Sequence, residues 1–158
     1  MHHVGLRVAD CERSAAFYGT ALGGRQLTRP YLREGPTAVE TSGGHSGARF
    51  RCCQIAVGGS MLELFEFLEP AVPVTATPPW SANLMHFAVE VDDVDDALAA
   101  VERAGGRRVW ANVRRIPGGA SVVYVADPDH NTIELLDITP AELVQSIIRR
   151  CPEAAPRL

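Results

Sequence analysis

The chain repeats itself. Residues 3–10 read H-V-G-L-R-V-A-D and residues 86–93 read H-F-A-V-E-V-D-D. Each stretch opens on a His, reaches an Asp seven residues later and alternates apolar residues between them, the period of a half-buried strand. Helical spacing follows in both places. Cys11 to Leu22 carries Ala15, Ala16, Tyr18 and Leu22 among its packing positions, and Val94 to Ala104 carries Val94, Ala97, Leu98 and Val101. Asp10, and Asp92 or Asp93, suit the helix N-caps; Gly23-Gly24 and Gly105-Gly106 suit the C-terminal stops. Further strand-like runs cover 25–33, 48–57 and 61–67 in the first half, and 107–113, 120–126 and 131–137 in the second. The closing runs match, M-L-E-L-F at 61–65 and T-I-E-L-L at 132–136, each behind a tight turn (Gly58-Gly59 and Pro128 to Asn131). A duplication of this kind settles architecture ahead of local detail. Each half is β-α-β-β-β, an α+β arrangement.

The expected organisation is a first module over 1–68, a Pro-rich linker over 69–82, a second module over 83–138 and a C-terminal helix and tail over 139–158. The helix of that tail runs from Pro140 to Arg150 with Thr139 as its cap. Residues 34–47, rich in Gly, Ser and Thr, are expected to form a surface loop, and Trp80 and Trp110 to pack.

Composition excludes several classes of function. With 46% hydrophobic and 22% charged residues the chain can bury a core. A formal net charge of −4 and the lack of a basic run argue against a nucleic-acid partner. No run approaches the ~20 apolar residues of a membrane helix. The strand pattern starts at the N-terminus with no leader before it, so a cytoplasmic location is expected. Cys11, Cys52, Cys53 and Cys151 form no C-x-x-C pair and read as small buried hydrophobes.

Strand parity then separates chemistry from packing. His3, Gly5 and Arg7 share one face of the first strand, opposite Val4, Leu6 and Val8; His86, Ala88 and Glu90 share one face of its counterpart. Glu63 and Glu134 are each flanked by apolar neighbours that face the helices. His3, Glu63, His86 and Glu134 therefore project away from the helices and converge if the two halves curl together. Carboxylates near a sheet centre are costly without compensation. A divalent cation supplies it, because two carboxylates and two neutral imidazoles sum with M²⁺ to zero. This donor set suits Zn, Ni, Co, Fe or Mn and leaves coordination positions open for a substrate. His45, in the Gly-rich loop, and His130, in a turn, are not read as ligands.

These residues resemble the vicinal oxygen chelate superfamily, which includes glyoxalase I, methylmalonyl-CoA epimerase, extradiol dioxygenases and the fosfomycin and bleomycin resistance proteins. The resemblance is carried by H3-V-G-L-R-V-A-D with Phe17-Tyr18 and Leu22-Gly23, by L62-E63-L64, by H86-F-A-V-E-V-D-D and by D127-P-D-H-N-T-I-E134-L-L, and it covers roughly 3–137. It implies two βαβββ modules forming a half-open mixed β-barrel, and a homodimer whose sites lie within one chain or between two. It also implies that His3, Glu63, His86 and Glu134 fall where bacterial glyoxalase I carries its metal ligands. Epimerases usually carry Gln at the position of Glu63. Arg7 falls where glyoxalase I places an arginine for the glutathione carboxylate, but Phe67 stands where an Asn for glutathione is expected. The D-P-D-G turn of the family is D-P-D-H here, which puts His130 in the left-handed region.

The activity implied is that of a metal-dependent lyase, isomerase or epimerase. A small substrate would chelate the ion through vicinal oxygens, and Glu134, with Glu63 for the other face, would move a proton by way of an enediolate. Arg7, Met61, Phe65, Glu90 and Leu136 are the expected substrate-binding residues, with loop 34–47 as a lid. Two alternatives stay open: an Fe(II)-dependent dioxygenase, and a binding or resistance protein without turnover.

Overall fold

The computed structural model describes residues 2–78, 80, 84–116 and 118–156. Pro79, Ser81, Ala82 and Asn83, at the end of the expected linker and the start of the second module, lie outside the described residues, as do Arg157 and Leu158 of the tail. The first half runs β1 (Val4–Arg7), α1 (Cys11–Leu22), β2 (Arg25–Gln26), β3 (Tyr31–Arg33), α2 (Pro36–Thr41), β4 (Arg49–Val57) and β5 (Ser60–Glu69). The second runs β6 (Phe87–Glu90), α3 (Val94–Arg103), β7 (Arg107–Arg108), β8 (Arg114–Arg115), β9 (Ser121–Ala126) and β10 (Thr132–Leu136), followed by α4 (Pro140–Arg150).

Each half forms its own five-stranded mixed sheet. In the first, the order is β1-β5-β4-β2, with β3 also on β4; in the second it is β6-β10-β9-β7, with β8 also on β9. β1 pairs parallel to β5, and β6 parallel to β10, because a helix carries the chain across the sheet between them. The other ladders are antiparallel. Gly58 and Gly59, at φ 56° and 75°, turn β4 into β5; positive φ at both central residues is what a two-residue type I′ hairpin requires.

Local chemistry sets the helix ends. The Asp10 carboxylate accepts from the amides of Glu12 and Arg13 at the start of α1, and Gly23 ends that helix at φ 63°. Asp93 caps α3, accepting from Asp96. Thr139 and Glu142 form a reciprocal capping box at α4. The helix-facing residues of both sheets and the inner faces of α1 and α3 merge in one core that includes Leu6, Tyr18, Ile55, Leu64, Val101 and Ile133. The turn between β9 and β10 binds the halves further. Asp129, buried, accepts from the Ser14 hydroxyl, the Ala9 amide and the Arg13 guanidinium. Asp127 accepts from the Tyr18 hydroxyl at 2.7 Å.

Four local expectations need correction. Residues 34–47 are not all loop: Pro36 at the first helical turn starts α2, which buries Ala38 against Ala48, Phe50 and Cys52. The runs expected over 25–33 and 107–113 are each broken, into β2 and β3 and into β7 alone, since regular ladder pairing with β4 or β9 covers only 25–26, 31–33 and 107–108. Trp80 is 88% exposed and does not pack, whereas Trp110 packs on the main core. Cys151 is exposed, unlike the other three cysteines. Among the described residues no helix is long and apolar enough to cross a membrane.

Candidate metal centre

The two sheets present the same device at equivalent places. His3 precedes β1, and Glu63 lies on β5 beside it; their Nε2 and Oε2 atoms are 3.7 Å apart. His86 precedes β6, and Glu134 lies on β10 beside it, with 3.2 Å between Nε2 and Oε2. All four side chains are partly open to solvent, from 19% for Glu134 to 42% for His3. Each Glu lies on the sheet face away from the core, because Leu62 and Leu64, and Ile133 and Leu135, take the helix-facing positions.

Each carboxylate is held by the residue directly across its antiparallel ladder. Gln54 opposes Glu63, and its amide donates to Glu63 Oε1 at 2.8 Å. Tyr124 opposes Glu134 and hydrogen-bonds it. Burial, then the charge of Glu134, then that hydrogen bond push the Tyr124 hydroxyl up to about 12. The Tyr124 ring also meets the His86 ring edge-on at 4.9 Å and lies 4.5 Å from the Trp110 ring. Neither Gln54 nor Tyr124 stands out in the sequence alone. The signal that finds them is register: once the Gly58-Gly59 turn is placed, the residue opposite Glu63 follows by counting.

The donors fit a divalent ion. An imidazole nitrogen and a carboxylate oxygen 3.2 Å apart both reach one ion at the usual ~2.0–2.2 Å bond lengths, and the wider pair does so on slight closure. His3 Nδ1 is engaged by His2 Nδ1 at 2.8 Å, which leaves Nε2 toward Glu63. The structure holds the quartet as two pairs. Among the described residues no group of three or more His, Cys, Asp or Glu side chains gathers in metal-binding geometry.

The remaining candidates spread over several cavities. Leu136 lines a cavity of about 200 Å³ with Glu134. Glu90 and His86 share one of about 250 Å³. Arg7 and His86 border a third, of about 480 Å³, roofed by linker residues, and the Arg7 guanidinium donates to the Val72 carbonyl. Phe65 packs on Phe50 in a tilted ring pair at 5.4 Å beneath α2, and Met61 is half-buried on the same strand. His130 sits at φ 68°, in the left-handed region. His45 is exposed in its loop.

Two matched sheets with one helix packed on each, built as paired βαβββ modules, define a recognisable class of fold. The family is explicit: residues 1–135 match the Glyoxalase/Bleomycin resistance protein/Dioxygenase superfamily, and the chain belongs to it. It is 30% identical over 143 residues to the lactoylglutathione lyase of Haemophilus influenzae, covering 85% of this chain and 90% of that one. It is 28% identical over 139 residues to YwkD of Bacillus subtilis, covering 87% and 95%. A glyoxalase family protein from Bacillus cereus shares the fold with a TM-score of 0.76 at 18% identity, over 86% of this chain and 91% of that one.

Proposed function

We propose that this protein is a metal-dependent lyase or isomerase of the glyoxalase type, with His3, Glu63, His86 and Glu134 as the ligands of one divalent ion. The observation that carries the reading is the matched pair of His–Glu couples, each with its carboxylate steadied across the ladder. When bound, the ion would supply Lewis-acid stabilisation of negative charge developing on substrate oxygen. The chain's own residues supply the proton chemistry. Glu134 is the base that takes a proton from a substrate carbon and returns it to the neighbouring carbon. Tyr124 holds that carboxylate in place, and Glu63 answers it from the opposite side of the substrate. Gln54 has no acidic proton to exchange, so it fixes Glu63 without competing for the transferred proton.

The separation of the two couples within one chain supports a second copy of the protein completing the quartet, His3 and Glu63 coming from one chain and His86 and Glu134 from the other. The lactoylglutathione lyases among its relatives favour an enzyme over a binding protein. Phe67, four residues along β5 from Glu63 where the resemblance expects an Asn for glutathione, points to a substrate other than glutathione. The test is metal analysis of the purified protein and its Glu134→Gln variant, with substrate-proton exchange followed by NMR in D₂O. Near-stoichiometric metal in the parent, and exchange lost in the variant, is the expected result. A parent that binds no Zn, Ni, Co, Mn or Fe would sink the proposal; metal with oxygen uptake would turn it toward a dioxygenase.

A further inference from the structure

The cavity beside Glu134 is not symmetric with anything in the first half. There, the equivalent open face is filled by Phe50, Phe65 and Phe67 under α2. On the second sheet the space stays open, about 200 Å³, with Leu136 and Leu143 as apolar wall, Trp110 at the side and the guanidinium-bearing chains of Arg114 and Arg150 at its border. Leu143 and Arg150 belong to α4, so the C-terminal helix builds one wall.

The two arginines differ from their neighbours. On the two-residue strand β8, Arg115 turns to the helix side and is used up by Ser121 and by Asp95 at 2.6 Å. Arg114 turns the other way and has no hydrogen-bond or ion-pair partner among the described residues. Arg150 is tied through Nε to the Ser146 carbonyl at 3.1 Å, which directs the side chain along α4 and leaves its two terminal nitrogens without a carboxylate among the described residues. Two forks with free donors at the border of an apolar pocket match an oxyanion attached to a hydrocarbon skeleton. The volume equals roughly six or seven waters at ~30 Å³ each, the size of a short organic acid.

We infer that this cavity is the subsite for a carboxylate carried by the substrate: the substrate is a small organic acid whose charged end lies between Arg114 and Arg150 while its reacting end lies at Glu134. The inference rests on the assignment of Glu134 to the proposed metal centre, and its test does not. In EDTA-treated protein carrying Trp80→Phe, Trp110 is the remaining one of the two tryptophans and reports on the cavity by fluorescence. Hexanoate is titrated against its neutral analogue hexanamide and against inorganic phosphate. Expected is a saturable change with hexanoate, about tenfold weaker or more in Arg114→Gln and in Arg150→Gln, and unchanged in Arg149→Gln, which removes the same charge one residue away. Thermal midpoints confirm that the variants are folded.

Three results would overturn it. One is no saturable response to hexanoate. Another is an equal response to hexanamide or phosphate. The third is a loss in Arg149→Gln as large as in Arg150→Gln. Metal content of untreated protein is read separately, so a missing metal and a missing anion subsite are told apart.

Discussion

Asp127 is 1% exposed and accepts four hydrogen bonds, from the Tyr18 hydroxyl, the amides of Asp129 and Asn131 and the Asn131 side chain. Burial raises its carboxyl above the ordinary value even so. A raised acid binds its proton more readily when folded, so its charged form is a cost at neutral pH that is relieved as pH falls through the folded value. The worth of Asp127 lies in its bonds. Asp127→Ala should destabilise by about 3 kcal/mol or more, because buried donors lose their acceptor, and urea unfolding would measure it. Asp10 has the opposite sign. The backbone amide of Arg13 is the largest cause holding it below the usual value of 3.8, so its stabilising effect is present above that pH and lost as pH falls through the folded value. Asp10→Ala should cost about 0.5–2 kcal/mol at pH 7, and the gap from the parent should close below about pH 4 in the same assay. In the proposed metal centre Tyr124 would act through Glu134, which it opposes across the ladder. Tyr124→Phe should weaken metal affinity about 10- to 100-fold with the fold intact, read by competition with a chromophoric chelator.

Elements are legible where their ends are marked by specific side chains. α1 is written by Asp10 and Gly23, and α4 by Thr139, Pro140 and the capping-box Glu142. α2 is not, because six residues between Gly35 and Gly43-Gly44 look like loop, and the contact that stabilises them, Ala38 under Phe50, is made at a distance in sequence. The His–Glu couple of each half was legible from repeat and parity, since parallel pairing of β1 with β5 and of β6 with β10 places them side by side. The relation between the couples was not, because it depends on contacts scattered over both halves. Gly106 is one of them. A Cβ there would lie 2.6 Å from Val101 Cγ1, 2.8 Å from the Ala126 carbonyl oxygen and 2.9 Å from Phe17 Cε2 of α1. Backbone cannot yield as a side chain can, so Gly106→Ala should cost about 1–3 kcal/mol, measured by thermal or urea denaturation.

At the scale of the molecule, a centre shared between copies makes a prediction that one chain cannot fulfil. His3→Ala and Glu134→Ala should each abolish metal binding alone. Mixed after co-refolding, they should regain about a quarter of the parent's metal, since half of randomly paired dimers are mixed and each mixed dimer rebuilds one of its two sites. Recovery of none would place the centre within a single chain or nowhere. The common core of α1 and α3, with the Asp127 and Asp129 turn locked onto the first helix, has a consequence of another kind. Each sheet carries its own helix, α1 on the first and α3 on the second, but the two helices pack on each other inside that one core, so the matched halves share one fate. Calorimetry should record one melting event rather than two, and the amides of β5 and β10 should exchange with solvent only when the whole chain opens. The two matched halves form a single cooperative unit, and a half expressed by itself should remain unfolded.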